Sequence, residues 1–270
     1  MRRLPLLALI LALGCTGTPE EPEVAVVQTL TLLRGDDGES MGWDLDGVVS
    51  DAEDPAGCFI DDQTHPDGSL GIDNSFGALL PSIEATQGAA LGPLIQAAVD
   101  SGELLLLLEL TDQGGGCLDF NVIRGAGAPA IGGHGKILPG QTYDVDPTQP
   151  GYVGECAATD NGNVVRLADF RMRLPLQIFD ESIDLTMLDG RFEMHRRDDG
   201  AYRGIFAGGV ATSEIRANMA VIDGIGDDIR SLIDTAMDSR ADLLPDANGF
   251  CSRISVGFTF EAVSAYLFEE

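Results

Sequence analysis

Between Arg34 and Arg124 the chain runs 89 residues without a Lys or Arg, and 18 of those residues are Asp or Glu. No other feature restricts the fold as tightly. Carboxylates at that density must be spread into water, be partly protonated, or share a cation. The densest part, 43–74, holds eight Asp and one Glu, interspersed with Gly47, Pro55, Gly57, Pro66, Gly68 and Gly71. Those Gly and Pro residues predict a looped segment that folds back on itself. Short side-chain oxygens on tight loops are how proteins hold hard cations, Ca²⁺ above all. Asp44, Asp46, Asp51, Asp61, Asp67 and Asp73 are the candidate metal ligands, against the plainer reading of a solvated acidic loop. Asp44-Leu45-Asp46-Gly47 and Asp246-Ala247-Asn248-Gly249 both open like a Ca²⁺ loop. Neither completes the EF-hand spacing with its distal Glu, so any site here is irregular.

The same charge balance narrows the partners. A formal charge of −28 excludes a nucleic-acid binder that rests on phosphate contacts. Lys136 is the only lysine and lies in a Gly/Pro-rich loop, a poor setting for amine chemistry. At 44% hydrophobic, the chain has enough apolar side chains to build a sizeable core.

Arg2 and Arg3 precede an apolar run, 4–13, that is too short to span a bilayer as a helix. It ends Leu11-Ala12-Leu13-Gly14-Cys15. This resembles the lipobox of bacterial lipoproteins, with a good match at Gly14 and Cys15 and a departure from the commonest order at Ala12 and Leu13. The resemblance implies a signal peptide over 1–14, cleavage before Cys15, and acylation of Cys15. Residues 15–23 then read as lipidated Cys and polar tether, and 24–270 as a single domain. Cleavage removes two of the 16 basic residues, leaving 14 − 44 = −30. Thr16 in place of Asp after the Cys implies an exported protein sorted to the outer membrane, at its periplasmic face or the cell surface. Acyl chains make the membrane a partner.

Cys58, Cys117, Cys156 and Cys251 remain, and in an exported chain they are expected to form two disulfides. No C-x-x-C occurs, which argues against a zinc ribbon. Of the three connectivities, Cys58–Cys117 with Cys156–Cys251 is the expected one.

Residues 24–33 read as a first strand. Leu79, Leu80 and Ile83, then Leu91, Leu94, Ile95 and Ala98, recur at helical spacing, and Asp73 is placed to cap the first of these helices. The run 103–111 is apolar enough for a strand buried on both faces. Residues 125–162 read as a long loop. Alternation over 169–178, 183–194, 202–207 and 254–262 predicts half-buried strands, with Pro175 at an edge or bulge and a hairpin turn at 197–200. Two helices fall between the last two strands. The expected fold is α+β: a largely antiparallel β-sheet with a few covering helices and an acidic Gly/Pro-rich loop.

The histidines carry no catalytic motif: His65, His134 and His195 belong to no H-E-x-x-H. The lipobox, the Asp-Leu-Asp-Gly and Gly-Ile-Asp-Asn elements and the Ser-Val-Gly-Phe-Thr-Phe segment resemble uncharacterised Asp/Gly-rich envelope lipoproteins of predatory and soil bacteria. That resemblance implies location and fold and brings no activity. The leading reading is a non-catalytic, outer-membrane-anchored module, Ca²⁺-stabilised, with a structural or adhesive role. The alternative is a carrier of a lipid or other apolar ligand in a cavity lined by Leu104 to Leu108, Phe258 and Phe260. A hydrolase built on paired carboxylates is the least supported.

Overall fold

A computed structural model describes residues 22–35, 38–87, 91–114, 117–148, 151–160, 163–178, 181–221 and 226–268. The expected signal peptide, Cys15 and most of the expected tether lie outside them. In chain order the elements are β1 (Glu23–Leu32), α1 (Ser75–Gln87), α2 (Leu91–Ser101), β2 (Leu106–Gly114), β3 (Cys117–Ala126), β4 (Gln141–Val145) and β5 (Tyr152–Asp160). They continue with β6 (Val164–Ile178), β7 (Glu181–Arg196), β8 (Tyr202–Ala211), α3 (Thr212–Val221), α4 (Asp227–Arg240), β9 (Leu243–Pro245) and β10 (Cys251–Leu267).

Eight of the strands close on themselves. The ring runs β1-β2-β3-β5-β6-β7-β8-β10 and returns to β1, with every neighbour antiparallel. Strand residues outnumber helical ones by 46% to 21%, so the protein is a mainly-β closed barrel. This corrects the expected α+β sheet with covering helices. Alternation marks the staves correctly but carries no information on whether the first strand finds the last. Here Leu32 pairs with Phe258 and Val24 with Ala265, which removes both sheet edges. A second correction concerns 125–162: β4 and the stave β5 lie inside that expected loop.

Rings fill the barrel. Phe120 of β3 meets Phe192 of β7 at 4.5 Å between centroids, although two staves separate those strands around the wall. Phe170 reaches Phe206 past β7, and Phe192 reaches Phe260 past β8, one stave in each case. Such contacts cross the lumen, so the interior is a packed core rather than a channel. Gly204 makes room for it: a Cβ there would sit 2.4 Å from the Phe260 ring. On the outside of β3, Asp119 and Asn121 alternate with buried Leu118, Phe120 and Val122.

Leu104 to Leu108 are all buried, in agreement with a strand covered on both faces, although regular pairing starts only at Leu106. Pro175 sits where β6 pairs with β7 alone, because β5 holds β6 only at Val164–Arg166; the expected edge position is correct. β1 also outruns β2, which pairs only with 23–26. Gln96 of α2 covers the exposed edge beyond. Its Oε1 accepts from Leu30 N–H at 3.4 Å, and its Nε2 donates to Gln28 O at 3.0 Å. Gln96→Ala is therefore expected to cost about 1–2 kcal/mol by leaving buried backbone groups unpaired, read as a lower urea midpoint. An unchanged midpoint would show that the edge needs no partner.

Helices α1, α3 and α4 gather at the end of the barrel where β1 and β8 finish and β7 and β10 begin. The acidic loop, 38–74, leaves β1 at this same end. A disulfide between Cys58 and Cys251 ties it to the first residue of β10, which corrects both expected pairings. Cys117 is disulfide-bonded as well. Cys156 falls in the neighbouring stave β5, its side chain outside those described.

Candidate carboxylate site at the barrel end

The loop folds back on itself through its own carboxylates. Asp51, Asp54 and Asp67 each accept from the backbone N–H two residues on, at 2.8–2.9 Å, which fixes successive tight turns. Asp61 reaches across to Ala52 N–H at 2.8 Å. Three of the six expected ligands, Asp51, Asp61 and Asp67, are thus used as turn and loop braces and lie apart from the rest.

The other three converge. One carboxylate oxygen from each of Asp44, Asp46 and Asp73 lies within 4.8 Å of the other two. Gly71 turns the chain beside this group: it adopts φ +81°, and a Cβ there would crowd Val49 at 3.1 Å. Asp44 also accepts from Gly47 N–H at 2.6 Å, and Asp46 from Val48 N–H at 2.8 Å. Asp73 is not the expected helix cap. Its Oδ2 accepts from Leu45 N–H at 2.6 Å, while the N–H of Ser75 at the start of α1 donates to Ser255 Oγ at 2.7 Å.

That serine leads to a carboxyl the sequence did not single out. Asp242, between α4 and β9, accepts from Ser255 N–H at 2.7 Å and from Ser255 Oγ–H at 2.5 Å. Asp62 is a second addition, accepting from Ser50 N–H at 2.6 Å and Oγ–H at 3.0 Å. The only sequence signal for Asp242 is its place in Ala241-Asp242-Leu243, an acid between two apolar residues; all three are buried.

Burial among like charges sets the electrostatics. Loss of water, then the nearby Asp242 charge, pushes Asp73 up to about 9 against the pull of Leu45 N–H. Loss of water pushes Asp242 up to about 7, opposed by its two bonds from Ser255. Asp46 and Asp62 are raised too, first by loss of water and then, against their backbone bonds, by Asp44. A divalent cation at that point would hold the oxygens of Asp44, Asp46 and Asp73 together in their charged form.

The chain matches no known family model, no curated protein and no solved structure. The class stands on geometry alone: a closed eight-stranded antiparallel barrel with a packed interior and a buried carboxylate cluster at one end.

Proposed function

We propose that this chain is a non-catalytic envelope module, held at the outer membrane by acyl chains on Cys15, whose acidic loop is closed by a divalent cation. The convergence of Asp44, Asp46 and Asp73 carries the reading. Three carboxylates offer up to six oxygens, and Ca²⁺ takes six to eight with tolerant geometry, water completing the shell on the exposed side. The anchor supplies the membrane link because the barrel itself is inverted relative to a spanning one. Its rings point inward and Asp119 and Asn121 outward, whereas a membrane barrel is apolar outside.

The other two readings find less support. Leu104 to Leu108, Phe258 and Phe260 are packed core side chains, 0–4% exposed, and the rings of Phe120, Phe192 and Phe260 meet inside the barrel where a carried lipid would have to lie. Asp73 and Asp242 are paired carboxyls, but at 3% and 4% exposure no substrate reaches them.

Ca²⁺ at a hundredfold excess over its Kd is expected to stabilise the protein by about 2.7 kcal/mol, raising Tm by several degrees. Mg²⁺ should do less, because it demands stricter octahedral coordination. Asp44→Asn with Asp46→Asn should abolish the shift while leaving the metal-free Tm nearly unchanged. An equal shift with NaCl at the same ionic strength would reduce the effect to screening and sink the cation reading.

A further inference from the structure

The tether leaves the barrel at the end opposite the carboxylate site. Glu23 opens β1, Val24 pairs with Ala265 near the close of β10, and Arg196 at the β7–β8 hairpin forms an ion pair with Glu23. Around this exit exposed apolar side chains stand beside cations, whereas at the opposite end exposed Val49, Phe59, Leu70 and Phe250 stand among carboxylates. Tyr266 and Phe268 are 61% and 59% exposed, and Leu138 is 45% exposed. Leu138 lies close by, because Gly140 N–H donates to Ser264 O at 2.7 Å and Phe268 N–H to Tyr143 O at 2.9 Å.

Cations stand among these apolar groups. Lys136 and Arg197 both reach Glu261, at 2.9 and 3.6 Å. Arg203 lies beside Glu261 in register, is exposed, and makes no ion pair with any described residue. His195, Arg196, Arg197 and Arg203 line one concave surface together with Asp198 and Asp199. Charge here is close to balanced, in contrast to 35–123, which has no Lys or Arg at all.

We propose that this rim, with Leu138, Tyr266 and Phe268 among Lys136, Arg196 and Arg203, rests on the interface of the bilayer that holds the Cys15 acyl chains, and that the acidic loop points away from it. The inference rests on the anchor reading above. Aromatic rings and long cationic side chains together suit the headgroup boundary, where rings sit below the phosphates and Arg and Lys reach up to them. An anionic leaflet repels the opposite, carboxylate-rich end. Chain length agrees. Cys15 to Glu23 is eight residue steps, reaching at most about 28 Å. β10 has 17 residues, roughly 55 Å along the strand and about 40 Å along a barrel axis at the usual tilt. The tether is too short to bring the far end to the membrane with the barrel upright.

Trp43, the only tryptophan, lies in the acidic loop and serves as a native probe of that far end. The test uses the full lipidated chain in vesicles of phosphatidylethanolamine and phosphatidylglycerol, with bromine on the upper acyl carbons. Native Trp43 emission is expected to be unquenched. Phe268→Trp in a Trp43→Phe background should lose roughly half its emission, since interfacial rings sit about 5–10 Å deep. Tyr266→Trp, at another exposed position, repeats the reading should Phe268→Trp fold poorly. Quenching of Trp43, or of neither probe while the protein still floats with the vesicles, overturns the orientation and leaves the anchor intact. Failure to float overturns the anchor reading and this inference with it.

Discussion

Replacing Cys58 and Cys251 together by Ala is expected to lower stability by about 5 kcal/mol in the chain-entropy account of cross-links. The magnitude follows from the 193-residue separation, which makes this a loop spanning most of the domain. Against a typical total of about 5–15 kcal/mol, that loss brings the barrel close to unfolding at physiological temperature. Position adds to length. The bond ties the middle of the acidic loop to the first residue of the stave that closes the ring, so the unfolded chain loses its longest constraint. The loop keeps local bonds of its own, among them Gln63 with Ile72 and Asp73 with Leu45, and should remain attached to α1 in the variant. The double Ala variant is preferred to chemical reduction because it leaves the bond at Cys117 in place. Guanidinium unfolding of the two proteins decides it, and a difference below about 1 kcal/mol would mean that the denatured chain is already held compact by other means.

Legibility in the sequence divides along a physical line. Signals that depend on a few neighbouring residues are readable: alternation finds β6, β7, β8 and β10, helical spacing finds α2 and α4, and Arg197 to Gly200 makes the turn expected of it. Pro175 announces an unpaired edge because its missing N–H forbids the alternative. Pairings between distant residues leave no such mark. β5, Tyr-Val-Gly-Glu-Cys-Ala-Ala-Thr-Asp, is built of small residues with little strand character, yet it completes the wall between β3 and β6. Without it the alternating strands read as an open sheet, and the helices then have a face to cover rather than an end to close.

The carboxylate site divides the same way. Asp44, Asp46 and Asp73 stand out because they crowd a segment with no cation. Asp242 does not, since nothing about one Asp between apolar residues shows which loop will fold onto it. Ser255 looks like an outward position on β10, alternating with Ile254 and Val256. It is wholly buried, because Ser75 at the start of α1 and Asp242 close over that face at this end of the barrel.

Stability is expected to fall as pH rises from 5 to 8, the opposite of the usual acid-sensitive protein. Asp73 is held up at about 9 and Asp242 at about 7, from an ordinary value of 3.8. The charges facing Asp73 are the carboxylates of Asp242, Asp46 and Asp62, so only the bond from Leu45 N–H opposes its loss of water. The folded protein keeps protons over a range in which the unfolded chain has released them. Its contribution to stability is therefore complete below about pH 4 and is lost as pH climbs through the folded values, at about 1.4 kcal/mol per unit for each retained proton. Carboxylates held below their ordinary range act in the other direction. Glu193 is lowered by Arg166 and His195 against its own loss of water, and Asp246 by backbone N–H groups, so their support disappears only in stronger acid. The two slopes place the maximum at mildly acidic pH. Thermal melts in chelator at pH 5 and pH 8 test this directly, and a Tm that is flat or higher at pH 8 would refute it. Asp73→Asn keeps an acceptor for Leu45 N–H while removing the titrating group, and should flatten the profile by raising Tm at pH 8. A cation competes with the proton for the same oxygens, so Ca²⁺ should stabilise the native protein more at pH 8 than at pH 5, and Asp73→Asn should remove that difference as well.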